Sequence, residues 1–153
     1  HNCLVGSEMC IRDSILAGHI RDKDYFRSLE LDNNNSVIYY GAVKNHSNEF
    51  FSLILNAKCF VLPSKLETPG LAALEAAALG IPIIVTSEGC AKEYFGNIDT
   101  YYDGKRGDMK ELSNLIKRVF LNQTSGIVKF DQIKKFSWDK CIEKQIDVYE
   151  EFI

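Results

Sequence analysis

The chain has 153 residues, a length that suits one domain and can bury a hydrophobic core without disulfide or metal staples. Apolar residues make up 46% and charged residues 25%, the mix of a globular domain. No apolar run approaches the roughly 18 to 20 residues that span a bilayer, and a net charge of −3 gives no broad attraction to nucleic acid, so no nucleic-acid partner is expected.

Cys3, Cys10, Cys59, Cys90 and Cys141 form no Cys-x-x-Cys pair, and their spacing suggests neither a zinc site nor a disulfide framework. With no basic region and apolar stretch at the N-terminus, the expected setting is a reducing cytoplasm. Asn45-His46-Ser47 and Asn122-Gln123-Thr124 match the glycosylation sequon by spacing only.

His1 to Ser14 has no period, cap or turn logic and resembles translated adapter sequence. Residues 1–14 are therefore set apart as a non-native leader, and 15–153 are read as one domain whose native chain is expected to begin upstream.

From Ile15 onward the pattern is regular. Ser14 to Gly18 predicts a short buried strand, and Asp22 or Asp24 can cap a helix running to about Leu31. Asn33 to Asn35 is a turn cluster, and Val37 to Tyr40 is β-rich and stops at Gly41. Residues 47–57 look helical, with Phe50, Phe51, Leu53, Ile54 and Ala57 on the apolar face. Cys59 to Leu62 is the next strand, followed by a helix from about Pro69 to Leu79 that Gly80 stops. Pro82 opens the strand Ile83 to Val85, Glu93 sits in a helical turn, and Asp99 to Tyr102 forms a last strand. Asp108 to Leu121 is amphipathic, with Met109, Leu112, Leu115, Ile116 and Val119 on one side. Ser137 can cap a final helix carrying Trp138, Ile142, Ile146, Tyr149 and Phe152. Short apolar strands alternating with helices predict an α/β fold, a Rossmann-like parallel sheet with helices on both faces. Ligands of such sheets bind outside the carboxyl ends of the strands, which singles out the loops after Gly18, Gly41, Pro63 and Thr86.

The loop after Leu62 reads Pro63-Ser-Lys-Leu-Glu-Thr-Pro-Gly70. Thr68 is a suitable N-cap and Pro69 fits the first helical position. The amides of Gly70 and Leu71 then point out of the helix start, where the dipole favours an anion. On a helical wheel Leu71, Leu74, Glu75, Ala78 and Leu79 share one arc, and Ala72, Ala73, Ala76 and Ala77 lie opposite. A helix so apolar all round should be buried, and a carboxylate on it needs a partner or a polar cleft. Glu75 lies about 6 to 9 Å along the axis from the helix start, so a nucleotide diphosphate could put phosphates at the start and ribose hydroxyls at Glu75. The same pattern also suits a rim glutamate paired with a lysine. Glu67, just outside the helix, is either a dipole-favoured acid or an acceptor for the ligand beyond the phosphates.

Leu62-Pro63-Ser64, Glu67-x7-Glu75-Ala76, Gly80-Ile81-Pro82-Ile83-Ile84, Gly89 and Glu93 together resemble the retaining family-four glycosyltransferases, whose C-terminal donor-binding domain is half of a GT-B fold. Gly41-Ala42-Val43 resembles the loop near the base, and Phe136-Ser137-Trp138 and Tyr149 resemble the closing helices. The resemblance implies that Glu67 contacts the donor sugar as the catalytic-site acid and that Glu75 binds the ribose. Thr68, Pro69, Gly70 and Leu71 would surround the diphosphate, and Gly41, Ala42 and Val43 the base. It implies a nucleotide-diphosphate sugar as donor, a glycan, lipid or small-molecule acceptor, and no bound metal or other cofactor. Thr68-Pro69-Gly70 stands where the family often has Gly-Phe-Gly. The family's diphosphate-binding Arg and Lys and its N-terminal acceptor domain have no counterpart, so this chain alone is expected not to transfer sugar. Any membrane contact would be peripheral, through that absent half.

Other readings are a metal-binding Asp-x-Asp at Asp22-Lys23-Asp24, a cleft-facing His19, and phosphate contacts from Lys65 or Lys92. A sugar-nucleotide epimerase of related fold or a non-catalytic nucleotide-binding subunit are the alternative functions; the Glu-x7-Glu spacing and the Pro-Ser entry favour the transferase.

Overall fold

The computed structural model describes residues 14–31, 36–65, 67–68, 70–104 and 108–152. The expected leader, apart from Ser14, and the turn at Asn33 to Asn35 lie outside the described residues. The chain divides into two units, residues 1–51 and 52–153.

In the first unit β1 (Ser14–Ala17) pairs in parallel with β2 (Val37–Gly41), with a register shift between Leu16 and Ala17. Between them α1 (Lys23–Ser28) begins at Asp22, whose carboxylate accepts from the amides of Asp24 and Tyr25 at 3.0 and 2.9 Å. This is the expected cap. It also assigns Asp22 to a structural task, and Asp24 pairs with Arg27 at 2.9 Å, so the local geometry of this Asp-x-Asp is that of a helix start. Phe26 meets Tyr39 edge to face with ring centroids 4.7 Å apart, and the Tyr39 hydroxyl donates to the Gly18 carbonyl at 2.8 Å. The expectation of a buried first strand is corrected: all four β1 residues are exposed, and α1, the helix between β1 and β2, buries none of its own residues.

The helix α2 (Asn48–Leu55) carries the chain into the second unit, and of its expected apolar face only Ile54 is buried. Here β3 (Phe60–Leu62), β4 (Ile83–Thr86) and β5 (Tyr101–Tyr102) form a parallel sheet in that order. The five strands thus pair in parallel throughout, as two sheets. β4 is paired on both sides and all four of its residues are buried, as expected for the centre of a sheet covered on both faces.

Alternation along the strands assigns the faces. Ile84 and Tyr102 join Leu112, Leu115 and Val119 of α5 (Met109–Phe120) in one core cluster, with Cys59, Val61 and Ile116 against it. Burial there pushes the Cys59 thiol up. Asp108 caps α5 through the amides of Lys110 and Glu111 at 2.8 and 3.3 Å. Met109, placed on the apolar side by periodicity, is the first residue of α5 and is instead exposed.

The helix α3 (Leu71–Ala78) packs on β3 and β4, and α4 (Ala91–Phe95) follows β4. The termination of α3 is the expected one: Gly80 N–H donates to Ala77 and Ile81 N–H to Ala76, satisfying two end carbonyls. α6 (Phe130–Lys134) was not legible in the hydrophobic pattern, being five residues with none buried. It docks through Gln132, which donates to the Glu93 carbonyl at 2.7 Å, and the Phe136 ring lies tilted against Tyr94 with centroids 4.5 Å apart. Ser137 caps α7 (Trp138–Glu150) as expected, but that helix buries nothing, and Trp138 is 84% exposed.

The Tyr101 hydroxyl donates to the Gly96 carbonyl at 2.6 Å and lies 3.3 Å from that of Ala91, tying α4 to the sheet. Burial pushes its pKa up to about 12. An unfolded tyrosine ionises near pH 10, so the unfolded state loses this proton first as pH rises. Stability from this group is therefore fully present below about pH 10 and is lost toward pH 12. Urea unfolding across that window is expected to show a steeper loss for the wild type than for Tyr101→Phe, which should itself cost about 1 kcal/mol at neutral pH.

Candidate functional site

The carboxyl ends of β3 and β4 lead into the two loops that meet in this unit. Glu67 of the first forms a parallel bridge with Gly89 of the second, and the Cys90 amide donates to the Glu67 carbonyl at 3.3 Å. The Glu67 side chain is oriented from within its own loop: the Ser64 hydroxyl donates to Glu67 Oε2 at 2.7 Å. Ser64 was missed as a site residue, though a Ser three positions before a Glu is the spacing at which such a side-chain bond closes a turn.

The start of α3 differs from the expected one. Thr68 is exposed and does not cap the helix; Gly70 does, with no side-chain bond, and α3 begins at Leu71. Pro69 lies outside the described residues. The reason is local. Glu67 is held by Gly89 and Cys90, so the chain enters the helix by turning at Gly70, in the left-handed region with φ 64° and ψ 49°. A methyl group on Gly70 would lie 2.9 Å from Glu67 Cγ, which places the Glu67 side chain against the helix entrance. Ala73 and Leu74 donate to the Gly70 carbonyl at 2.9 and 3.1 Å. Leu71 and Ala72 are the first two residues of α3, so their amides lie at the positive end of the helix dipole.

The burial expected of α3 is corrected as well. Ala73, Ala76 and Ala77 are buried against the sheet, whereas Leu71 is 64% exposed and Leu74, Glu75 and Leu79 are half-buried. Small residues let the helix lie close on β4, and the bulky arc faces away. Glu75 is therefore on the accessible side of the helix, one turn and about 6 Å beyond Leu71.

Glu67, Gly70, Leu71 and Glu75 are thus brought to one helix. Gly41, Ala42 and Val43 belong to the first unit, at the end of β2, where Gly41 accepts from the Gly18 amide at 2.9 Å. His19 is exposed and borders a small apolar hollow with Tyr25 and Phe26 in that unit. Lys65 and Lys92 are exposed; Lys92 Nζ lies 6.0 Å from the Tyr101 ring centroid. A hollow of 590 Å³ in the second unit is bordered by Lys58, Pro82 and Asp99, which precede the three strands. It is at the amino ends of the sheet, opposite the α3 start, and Thr124 already bonds Asp99 there at 3.0 Å.

The model of the family described as "Glycosyl transferases group 1" matches residues 5–135. The chain belongs to that family. An uncharacterised glycosyltransferase of Methanocaldococcus jannaschii is 34% identical over 110 residues, 68% of this chain and 31% of that protein. The N,N'-diacetylbacillosaminyl-diphospho-undecaprenol alpha-1,3-N-acetylgalactosaminyltransferase of Campylobacter jejuni is 32% identical over 108 residues, 70% of this chain and 27% of that protein. The crystal structure of AviGT4, a glycosyltransferase involved in avilamycin A biosynthesis, matches 83% of this chain and 42% of its own at 18% identity, with a TM-score of 0.48. This group 1 glycosyltransferase chain therefore spans about a third of the curated relatives it matches. No helix among its described residues is long and apolar enough to cross a membrane.

Gly70→Ala in this glycosyltransferase chain meets both a left-handed backbone and the Glu67 side chain. It is expected to lower stability by at least about 1 to 2 kcal/mol. Urea unfolding checks this: the midpoint should fall with the slope unchanged, and an unmoved midpoint would contradict the local geometry.

Proposed function

We propose that the full-length protein is a retaining hexosyltransferase and that this chain supplies its donor half, binding a nucleotide-diphosphate sugar along α3. The observation that carries the reading is the approach of Glu67 to the entrance of a helix whose accessible side bears Glu75. The diphosphate lies at the amides of Leu71 and Ala72, beside the side-chain-free Gly70, where the dipole favours negative charge. The ribose hydroxyls donate to the Glu75 carboxylate, about one turn further along. Glu67, turned by Ser64, accepts from hydroxyls of the sugar.

When the bond between the anomeric carbon and the diphosphate breaks, charge grows on the leaving phosphate. Oriented amides at the helix start stabilise it without reorganising, so the step asks for no metal. An acceptor glycan, lipid or small molecule then takes the sugar, and these 153 residues, about a third of the length of the relatives they match, do not transfer sugar by themselves. The expected setting is cytoplasmic. The family match favours transfer over the epimerase and binding-subunit alternatives.

Calorimetry of the full-length protein with UDP, GDP and ADP tests the reading. One of the three should bind, and Glu75→Ala should weaken it about tenfold to a hundredfold, the loss of bonds to a charged group. Binding of none, or equal binding by the variant, would sink the assignment of Glu75.

A further inference from the structure

Gly104 follows β5 and is buried. It is not among the glycines with positive φ, so its backbone does not demand glycine; space does. A methyl group there would come 2.5 Å from the Ser64 carbonyl oxygen, 2.5 Å from Thr86 Oγ1 and 3.1 Å from Lys65 Cα. The two walls of this gap are unequal. Thr86 is fully buried, pairs with Tyr102 and accepts from the Glu88 amide at 3.2 Å, so it is fixed at the sheet's end. Ser64 and Lys65 are backbone of the loop that carries Glu67, so relieving the clash on that wall displaces the loop itself.

We infer that Gly104 is a positioning residue for the Glu67 carboxylate. Its missing side chain lets the backbone of Ser64 and Lys65 close onto the end of β5, and contact runs from Gly104 through Ser64 to Glu67 and on to Gly70. Ser64 is the coupling, because the same residue whose carbonyl touches Gly104 donates its hydroxyl to Glu67 Oε2. A methyl group at 104 pushes Ser64 outward and turns Glu67 with it, while α3 keeps its seat on the sheet through Ala73, Ala76 and Ala77. What Glu67 is positioned for rests on the function proposed above; the positioning itself does not.

The two parts separate in one experiment. In Gly104→Ala of this chain, amide resonances of Ser64, Glu67 and Gly70 should shift while those of Leu115 and Val119 stay in place. In the full-length protein, calorimetry compares UDP with UDP-glucose, GDP with GDP-mannose, and ADP with ADP-glucose. The variant should hold the bare nucleotide within about twofold and lose about tenfold or more for the sugar nucleotide, since a misplacement of order 1 Å at a contact is enough for such a loss. A general loss of folding would lower both together. Unmoved Ser64 and Glu67 resonances, or equal loss for both ligands, overturns the inference. Should Gly104→Ala not fold, Ser64→Ala breaks the same relay without added volume: the same split supports the coupling, and an unmoved Glu67 with unchanged sugar-nucleotide binding overturns it. A wild-type protein that binds none of the six ligands sinks the proposed function, and the resonance arm still decides the positioning.

Discussion

The central strand β4 has no solvent-facing residue: Ile83, Ile84, Val85 and Thr86 are all at most 2% exposed. A strand paired on both sides and covered on both faces forces each helix that covers it to supply a dry, closely fitting surface. On one side α5 does this with Leu112, Leu115 and Val119. On the other, α3 does it with three alanines, which add little bulk and bring the helix backbone down onto the strand. The axis of α3 is fixed in that way, and with it the position of the helix entrance at the carboxyl end of the sheet. That entrance is the place where parallel sheets hold ligands and where a helix dipole favours an anion.

The loops then decide what surrounds the entrance. Bonds between the loop after β3 and the loop after β4 hold Glu67, and the turn at Gly70 sets the first amides of α3 beside its side chain. Close approach at two glycines, Gly70 and Gly104, is what allows the packing of this corner. Charge, backbone amides and one hydroxyl meet there.

Much of this was legible in the sequence where a residue has a strong local reason for its role. Asp22, Asp108 and Ser137 start helices as their side chains dictate, and Gly80 ends one. The apolar runs gave the α/β order, and the motif resemblance, with its Glu-x7-Glu spacing, led to the family whose model matches residues 5–135. The start of α3 was misread because Thr68 and Pro69 satisfy the local rules for a helix beginning, while the tertiary hold on Glu67 moves that beginning to Gly70. The expectation that α3 is buried because it is apolar all round held for one side only, since close packing on the sheet takes the alanines and leaves Leu71 exposed. Gly104 left no signal in the pattern, since its reason is a contact forty residues away along the chain.

The proposed function requires the donor's diphosphate to rest at the entrance of α3. Amide chemical-shift mapping on this chain, titrated with UDP, GDP and ADP in turn, tests that most directly. The account predicts that one of the three moves the amides of Gly70, Leu71 and Ala72 most. The largest shifts falling instead at Lys58, Asp99 and Asn122, around the hollow at the opposite end of the sheet, would contradict it.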